Sequence, residues 1–163
     1  MVLEHVVDTD EAELNHYEHA IECLTEAEKR HETLNIMLTE RDYSDVVRQS
    51  ASIVDLSLRS LLQFAGVDPV GRDDLMPLVE DSVGRLPQLG RQDVRRMRDI
   101  YRRMAVKRKK VQKIKIRLEG EEVEPVRTRR RGPRFSREDA LRAIRWSGFM
   151  VETAQRIIKD FDE

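Results

Sequence analysis

Residues 41–81 read RDYSDVVRQSASIVDLSLRSLLQFAGVDPVGRDDLMPLVED and contain the clearest structural signal of the chain. Apolar side chains recur there in steps of three and four residues, so they share one face of an α-helix that turns once every 3.6 residues. Gly66 follows where a helix needs a left-handed C-terminal cap, and Pro69 prevents immediate continuation. The next helix is predicted to begin around Asp73 and Asp74, because acidic side chains suit the positive end of a helix dipole. The predicted core face of the first of these two helices consists of Val47, Val54, Leu58, Leu61 and Ala65.

The composition of the whole chain favours an all-α fold. Apolar residues make up 39 % and charged residues 37 % of the 163 positions, but aromatic residues only 5 %, a profile that is poor in strand formers. This length suits one domain, 1–163, with a modest core. Helical spacing predicts a first helix over about 8–38, a third over about 73–86, a fourth from Arg91 and a fifth after Ser136.

The fifth predicted helix has a defined start and an unusual interior. Ser136 with Asp139 three residues later resembles a capping box. Gly148 interrupts the apolar face at a cost of about 1 kcal/mol relative to alanine, which indicates a close crossing with another helix. The predicted core face of this helix includes Ala140, Ile144, Val151 and Ile158.

The segment before the fifth helix leaves two structures open. KIKIRL, residues 113–118, alternates apolar and basic side chains, and the following Glu-Gly-Glu could turn it back as a small β-hairpin over about 113–126. Its apolar residues also fit helical spacing. RTRRRGPR, residues 127–134, is predicted to be a loop. The sequence therefore predicts a five-helix up-down bundle with a basic excursion over about 113–135.

Residues 41–81 also carry a resemblance to a known family. The long helix ending in Leu61-Leu62, then Gly66, Pro69 and Asp73-Asp74-Leu75, resembles the core of the HEPN family (higher eukaryotes and prokaryotes nucleotide-binding domain). The family's His-Asp-Leu step has Asp in place of His here. The resemblance covers roughly 10–160 and implies a HEPN-like helical bundle that forms a homodimer. It also implies a toxin–antitoxin setting with a nucleotidyltransferase partner.

Charge is distributed unevenly along the chain. Residues 1–45 contain thirteen acidic and three basic side chains, whereas 91–137 contain nineteen basic and six acidic ones. The two segments could neutralise each other within one molecule or across a dimer, or the basic one could bind an anionic partner. Arginines in a row bind phosphates without reading sequence, so the candidate anions are nucleic acid, nucleotide phosphates and an acidic protein, including the acidic first helix of a second copy. The candidate RNA-binding or phosphate-binding residues are Arg91, Arg95, Arg98, Arg102, Arg103, Lys107, Arg129, Arg130 and Arg131.

The sequence lacks the catalytic signature of HEPN ribonucleases. Those members carry an Arg-x4–6-His motif at the helix that here reads DVRRMRDIYRRMAVKRKK and contains no histidine. An arginine cannot replace a group that must exist in both protonation states near pH 7. The histidines are His5, His16, His19 and His31, of which His16 and His19 are only a weak candidate for a metal site.

Two functions remain as hypotheses. The favoured one is a non-catalytic, dimeric HEPN-like module that binds RNA or phosphate, with no metal, cofactor or catalytic residue. The alternative is a metal-independent HEPN ribonuclease toxin with a displaced catalytic residue, such as an N-terminal histidine that reaches across a dimer. Cys23 lies in a helical pattern and is expected to be a small, partly buried residue. No signal peptide and no apolar run long enough for a membrane is found, so a soluble, cytoplasmic protein is expected.

Overall fold

The secondary structure is entirely helical in the part of the chain that is described. The computed structural model describes the backbone of residues 2–104 and 134–160, and side chains from residue 15 onward within those ranges. The helices are α1 (Val2–Thr39), α2 (Tyr43–Phe64), α3 (Met76–Asp81), α4 (91–104) and α5 (Arg137–Lys159), with a 3₁₀ turn at Val83–Arg85. The predicted all-α fold with five helices is confirmed. No described helix is long and apolar enough to cross a membrane.

The end of α2 has the conformation that its glycine predicts. Gly66 adopts a φ of 81°, in the left-handed region. The N–H of Val67 donates to the carbonyl of Leu62 at 2.8 Å, and the N–H of Gly66 donates to the carbonyl of Gln63 at 3.0 Å. These two bonds form a Schellman motif, which satisfies carbonyls that the helix itself leaves unpaired.

The third helix begins later than predicted and is shorter. The expectation was a helix over about 73–86, but α3 covers Met76–Asp81 and is followed by the 3₁₀ turn. The hydroxyl of Tyr101 lies 3.4 Å from the carbonyl of Asp73 and accepts from the N–H of Leu75 at 3.3 Å. These contacts with α4 bind the backbone just before α3, so the helix starts after them.

The start of α5 is the predicted capping box. The side chain of Ser136 accepts from the N–H of Asp139 at 3.1 Å, and the carboxylate of Asp139 accepts from the N–H of Ser136 at 3.0 Å. Each residue therefore satisfies a donor that would otherwise be unpaired at the helix N-terminus.

The four long helices alternate in direction. α1 and α2 are joined by three residues and are antiparallel, since His16 near the start of α1 lies 2.7 Å from Gln63 at the end of α2. α4 and α5 are also antiparallel. The start of α4 meets the end of α5 at Asp93 and Arg156, 2.7 Å apart, and Arg103 lies over Trp146 nearer the start of α5.

The core consists of two clusters of buried apolar side chains. The main cluster contains residues of all five helices, and the second joins α1, α2 and α5 through Ala27, Leu34, Val46, Ile53, Ala140 and Val151. The largest members of the main cluster include Leu58, Leu61, Leu62, Met97, Ile100, Met104 and Met150.

The predicted core faces are largely correct, with one revision. Leu58 of α2 and Ile158 of α5 are fully buried in the main cluster. Val151 belongs instead to the second cluster, and Ile144 is half-buried at the edge of that cluster. The expectation of a single shared core was wrong, because α5 contributes side chains to both clusters, with Ala143 and Met150 in the main one and Ala140 and Val151 in the second.

Gly148 lies at a close crossing of α5 and α1, as its position inside the helix predicts. A Cβ atom at this position would lie 3.2 Å from Nε2 of His31. That nitrogen is buried and has no hydrogen-bond partner among the described residues. The imidazole therefore fills the space that glycine leaves.

We expect Gly148→Leu to destabilise the protein through this contact. Inserting a side chain into a packed crossing costs about 1–3 kcal/mol. This cost offsets the roughly 1 kcal/mol of stability that a helix gains when one of its glycines is replaced by a better helix former. His31→Ala should relieve the clash, so a double-mutant cycle measured by urea unfolding should give a coupling energy of at least about 0.5 kcal/mol. Additive effects of the two substitutions would contradict the close crossing.

Candidate nucleic-acid interface

The direction of every side chain on α4 is set by its apolar stripe. Val94, Met97, Ile100 and Met104 are buried in the main cluster. Successive residues of a helix are rotated by about 100°, so the positions between these four must face solvent or a neighbouring helix. The basic residues of α4 therefore divide into those that face outward, those that face α3 and those that face α5.

Three arginines form the outward face. Arg91, Arg95 and Arg102 are exposed, and none has a carboxylate partner within ion-pair distance among the described residues. Their positions fall within an arc of about 40° on the helix surface. This outward arginine face, Arg91, Arg95 and Arg102, is a concentration of unneutralised positive charge that can bind phosphate groups.

Arg98 contacts α3 through an ion pair. Its Nε lies 2.7 Å from Oε1 of Glu80, and both side chains are partly buried, with 40 % and 33 % of their surface exposed. This ion pair joins α4 to the end of α3. Arg98 is one of the residues predicted to bind phosphate, but its guanidinium is already paired with a carboxylate of the same protein.

Two further arginines of α4 lie over aromatic rings of α5. The guanidinium carbon of Arg96 is 4.3 Å from the centroid of Phe149, and that of Arg103 is 5.9 Å from the centroid of Trp146. Both distances suit a cation–π interaction. Nε of Arg103 also donates to Asp99 at 3.2 Å. Arg103 was among the candidate binding residues and Arg96 was not, although helical spacing places both on the same basic face. Phe149 was missed, although its position on an amphipathic helix was readable.

Several predicted residues lie outside the described part of the chain. Lys107 and the three arginines at 129–131 fall between the two described ranges, as does the predicted excursion up to residue 133. The choice between hairpin and helix at 113–126 also stays a prediction. The described part of the interface therefore consists of α4 and the face of α5 beside it.

Two of the three histidines with described side chains lie against other helices. His16 bonds to Gln63 of α2, His31 lies beside Gly148 of α5, and His19 is on the surface 3.5 Å from Glu22. His5 belongs to the part of α1 whose side chains are not described. Among the residues with described side chains, no group of three or more His, Cys, Asp or Glu residues could hold a metal ion.

Cys23 is partly buried on α1. Desolvation raises the pKa of its thiol, and the nearby Arg59 lowers it by a smaller amount. A thiol in this environment remains protonated at neutral pH, so it is a poor nucleophile. The prediction of a small, partly buried residue is confirmed.

Comparisons of the chain with protein-family models, with curated proteins and with solved structures found no match. The geometry of α4 and α5 therefore carries the functional argument. The resemblance to HEPN domains stays a hypothesis drawn from residues 41–81.

Proposed function

We propose that this protein is a non-catalytic helical module that binds RNA through the outward arginine face of α4. The observation that carries the proposal is the presence of three exposed arginines on one helix face with no carboxylate partner among the described residues. Guanidinium groups bind phosphate oxygens bidentately, and each neutralised phosphate releases condensed counterions. The remaining basic residues of 91–137 extend the positive charge along the sequence.

The proposed role is binding without cleavage. RNA hydrolysis by general acid–base chemistry requires a group that changes protonation state near neutral pH, and arginine does not. α4 contains no histidine over 91–104. The described contacts of His16 and His31 are with α2 and α5, not with the outward arginine face.

We expect salt-sensitive binding of RNA with no cleavage. Contacts from three arginines should make the slope of log affinity against log salt concentration about −2 or steeper. Each phosphate contact on a single strand contributes about −0.7 to this slope. Fluorescence anisotropy with a labelled RNA over a series of salt concentrations measures this slope, and gel electrophoresis of the same samples checks the RNA length.

Two results would contradict the proposal. Absence of salt-sensitive binding would leave the basic face as a contact for an acidic protein. Metal-independent cleavage that copurifies with the protein, and that is lost in a variant of the α4 arginines, would support the ribonuclease toxin instead.

We further propose that the protein functions as a homodimer. Two large apolar side chains are exposed on the helices, Ile36 of α1 with 61 % of its surface accessible and Leu141 of α5 with 37 %. Burying such side chains against a second copy would stabilise association. Multi-angle light scattering at micromolar concentration should report twice the chain mass of 19.1 kDa. A monomer at high concentration would exclude the dimer.

The HEPN resemblance adds a candidate protein partner to this proposal. We propose a nucleotidyltransferase that acts with the chain in a toxin–antitoxin pair. Co-expression of the chain with a nucleotidyltransferase encoded beside it, followed by copurification, tests this partner. Separate elution of the two proteins would remove the partner and leave RNA binding in place.

A further inference from the structure

α4 contains a short sequence repeat, which a count of the charges in the segment does not reveal. The sequence Arg-Arg-Met occurs at 95–97 and again at 102–104. Seven residues make two helical turns, so the two copies lie on the same side of the helix about 10 Å apart. Met97 and Met104 are both fully buried in the main core cluster. The two arginines before each methionine therefore occupy equivalent positions.

The second arginine of each copy lies over an aromatic ring of α5. Arg96 lies over Phe149 and Arg103 over Trp146, at 4.3 and 5.9 Å from the ring centroids. Both rings are half-buried and pack against the main core cluster, while both arginines are exposed. Both guanidinium groups are exposed and planar, and nucleobases stack on such planes.

The first arginine of each copy points into solvent. Arg95 and Arg102 belong to the outward arginine face and have no carboxylate partner among the described residues. Arg103, by contrast, shares its charge with Asp99 at 3.2 Å. That ion pair suits a stacking surface better than a phosphate ligand, because part of the positive charge is already neutralised. Each copy thus places a phosphate-binding cation next to a flat stacking surface.

We propose that α4 and α5 form a two-unit site for single-stranded RNA. In each unit the first arginine, Arg95 or Arg102, binds a backbone phosphate, and the second, Arg96 or Arg103, stacks on an unpaired base. Bases in an A-form duplex are stacked on one another inside the helix, so only unpaired bases can reach these surfaces. This inference rests on the proposed RNA binding and adds the class of RNA and the mode of recognition.

The test compares three probes of equal length, about twelve nucleotides, within the range of site sizes for single-strand binding proteins. They are a single-stranded oligoadenosine, the same ribose–phosphate strand without bases, and an RNA duplex. We expect the oligoadenosine to bind at least about fivefold more tightly than the abasic strand, since base stacking contributes to affinity independently of the phosphates. Trp146 is the only tryptophan of the chain, so its fluorescence should change with oligoadenosine and not with the abasic strand.

Lysine variants separate stacking from charge. Arg96→Lys with Arg103→Lys keeps both charges and removes both guanidinium planes, so it should abolish the preference for oligoadenosine and leave abasic-strand binding unchanged. The matched control is Arg48→Lys with Arg142→Lys, two exposed arginines that, like Arg103, pair with a carboxylate about one turn away. The control should retain the full preference.

The outcomes distinguish the two levels of the proposal. Equal salt-sensitive binding of the abasic strand and oligoadenosine, or tighter binding of the duplex, would overturn the single-strand site while leaving RNA binding intact. A preference that survives in the Arg96→Lys, Arg103→Lys variant would also overturn it. Absence of binding to all three probes would overturn both the site and the proposed function.

Discussion

Replacing Leu58 with alanine is expected to lower the free energy of unfolding by about 2–5 kcal/mol. Leu58 is fully buried in the main core cluster, in the middle of α2. The substitution removes apolar surface from the core and leaves a cavity that the surrounding helices cannot fill completely. Urea unfolding followed by circular dichroism measures the loss, with the dependence on denaturant checked for an unchanged slope.

Val70→Ala is the control, because it also removes apolar side-chain atoms, but in the α2–α3 connection, where 78 % of the residue is exposed, and Val70 has no part in the proposed dimer. It should cost much less, within about 1 kcal/mol of the parent protein. If Leu58→Ala were as mild as Val70→Ala, the assignment of α2 as the central core helix would be wrong.

The features that the sequence predicted correctly are those set by short-range physics. The apolar spacing around Leu58 placed the core face of α2, because periodicity alone determines which side chains share a helix face. Gly66 and Ser136 marked helix ends, since a left-handed cap and a capping box each depend on a few adjacent residues. Gly148 indicated a helix crossing, although the sequence could not identify His31 as the contact.

The features that were missed depend on tertiary contacts. α3 starts after Leu75 because Tyr101, a residue of α4, bonds the backbone before it. Val151 lies in a second core cluster because one face of α5 packs against α1 and α2. Pro77 in the first turn of α3 is a local signal for the later helix start, whereas no local pattern places Val151 in the second cluster.

The candidate interface shows the same division. Charge counting located the basic segment correctly in sequence, and helical spacing placed several of its arginines off the core face. The pairing of Arg98 with Glu80 could not be read from the chain, since the two residues are brought together only by the packing of α3 against α4. Likewise, the contact of Arg96 with Phe149 requires the antiparallel alignment of α4 and α5.

The outward arginine face makes the largest predicted contribution to binding. Changing Arg91, Arg95 and Arg102 to glutamine should reduce RNA affinity by about a hundredfold near 0.1 M salt. Three fewer phosphate contacts make the slope of log affinity against log salt concentration shallower by about 2. If the parent protein and the variant bind equally at about 1 M salt, this difference in slope gives the roughly hundredfold difference at about 0.1 M. Glutamine is a good helix former, and these positions are exposed, so the helicity measured by circular dichroism should not change. Anisotropy titrations at several salt concentrations measure both the affinity and the slope.

A second triple variant separates this site from general electrostatic attraction. Lys29, Arg41 and Arg48 are exposed residues of α1, the α1–α2 turn and α2, and changing them to glutamine removes the same positive charge from another part of the surface. If RNA contacts α4, this control loses little affinity and keeps the parent salt slope. Similar losses in both variants would mean that RNA responds to net charge alone. The outward position of Arg91, Arg95 and Arg102, set by the buried stripe of α4, would then have no functional consequence.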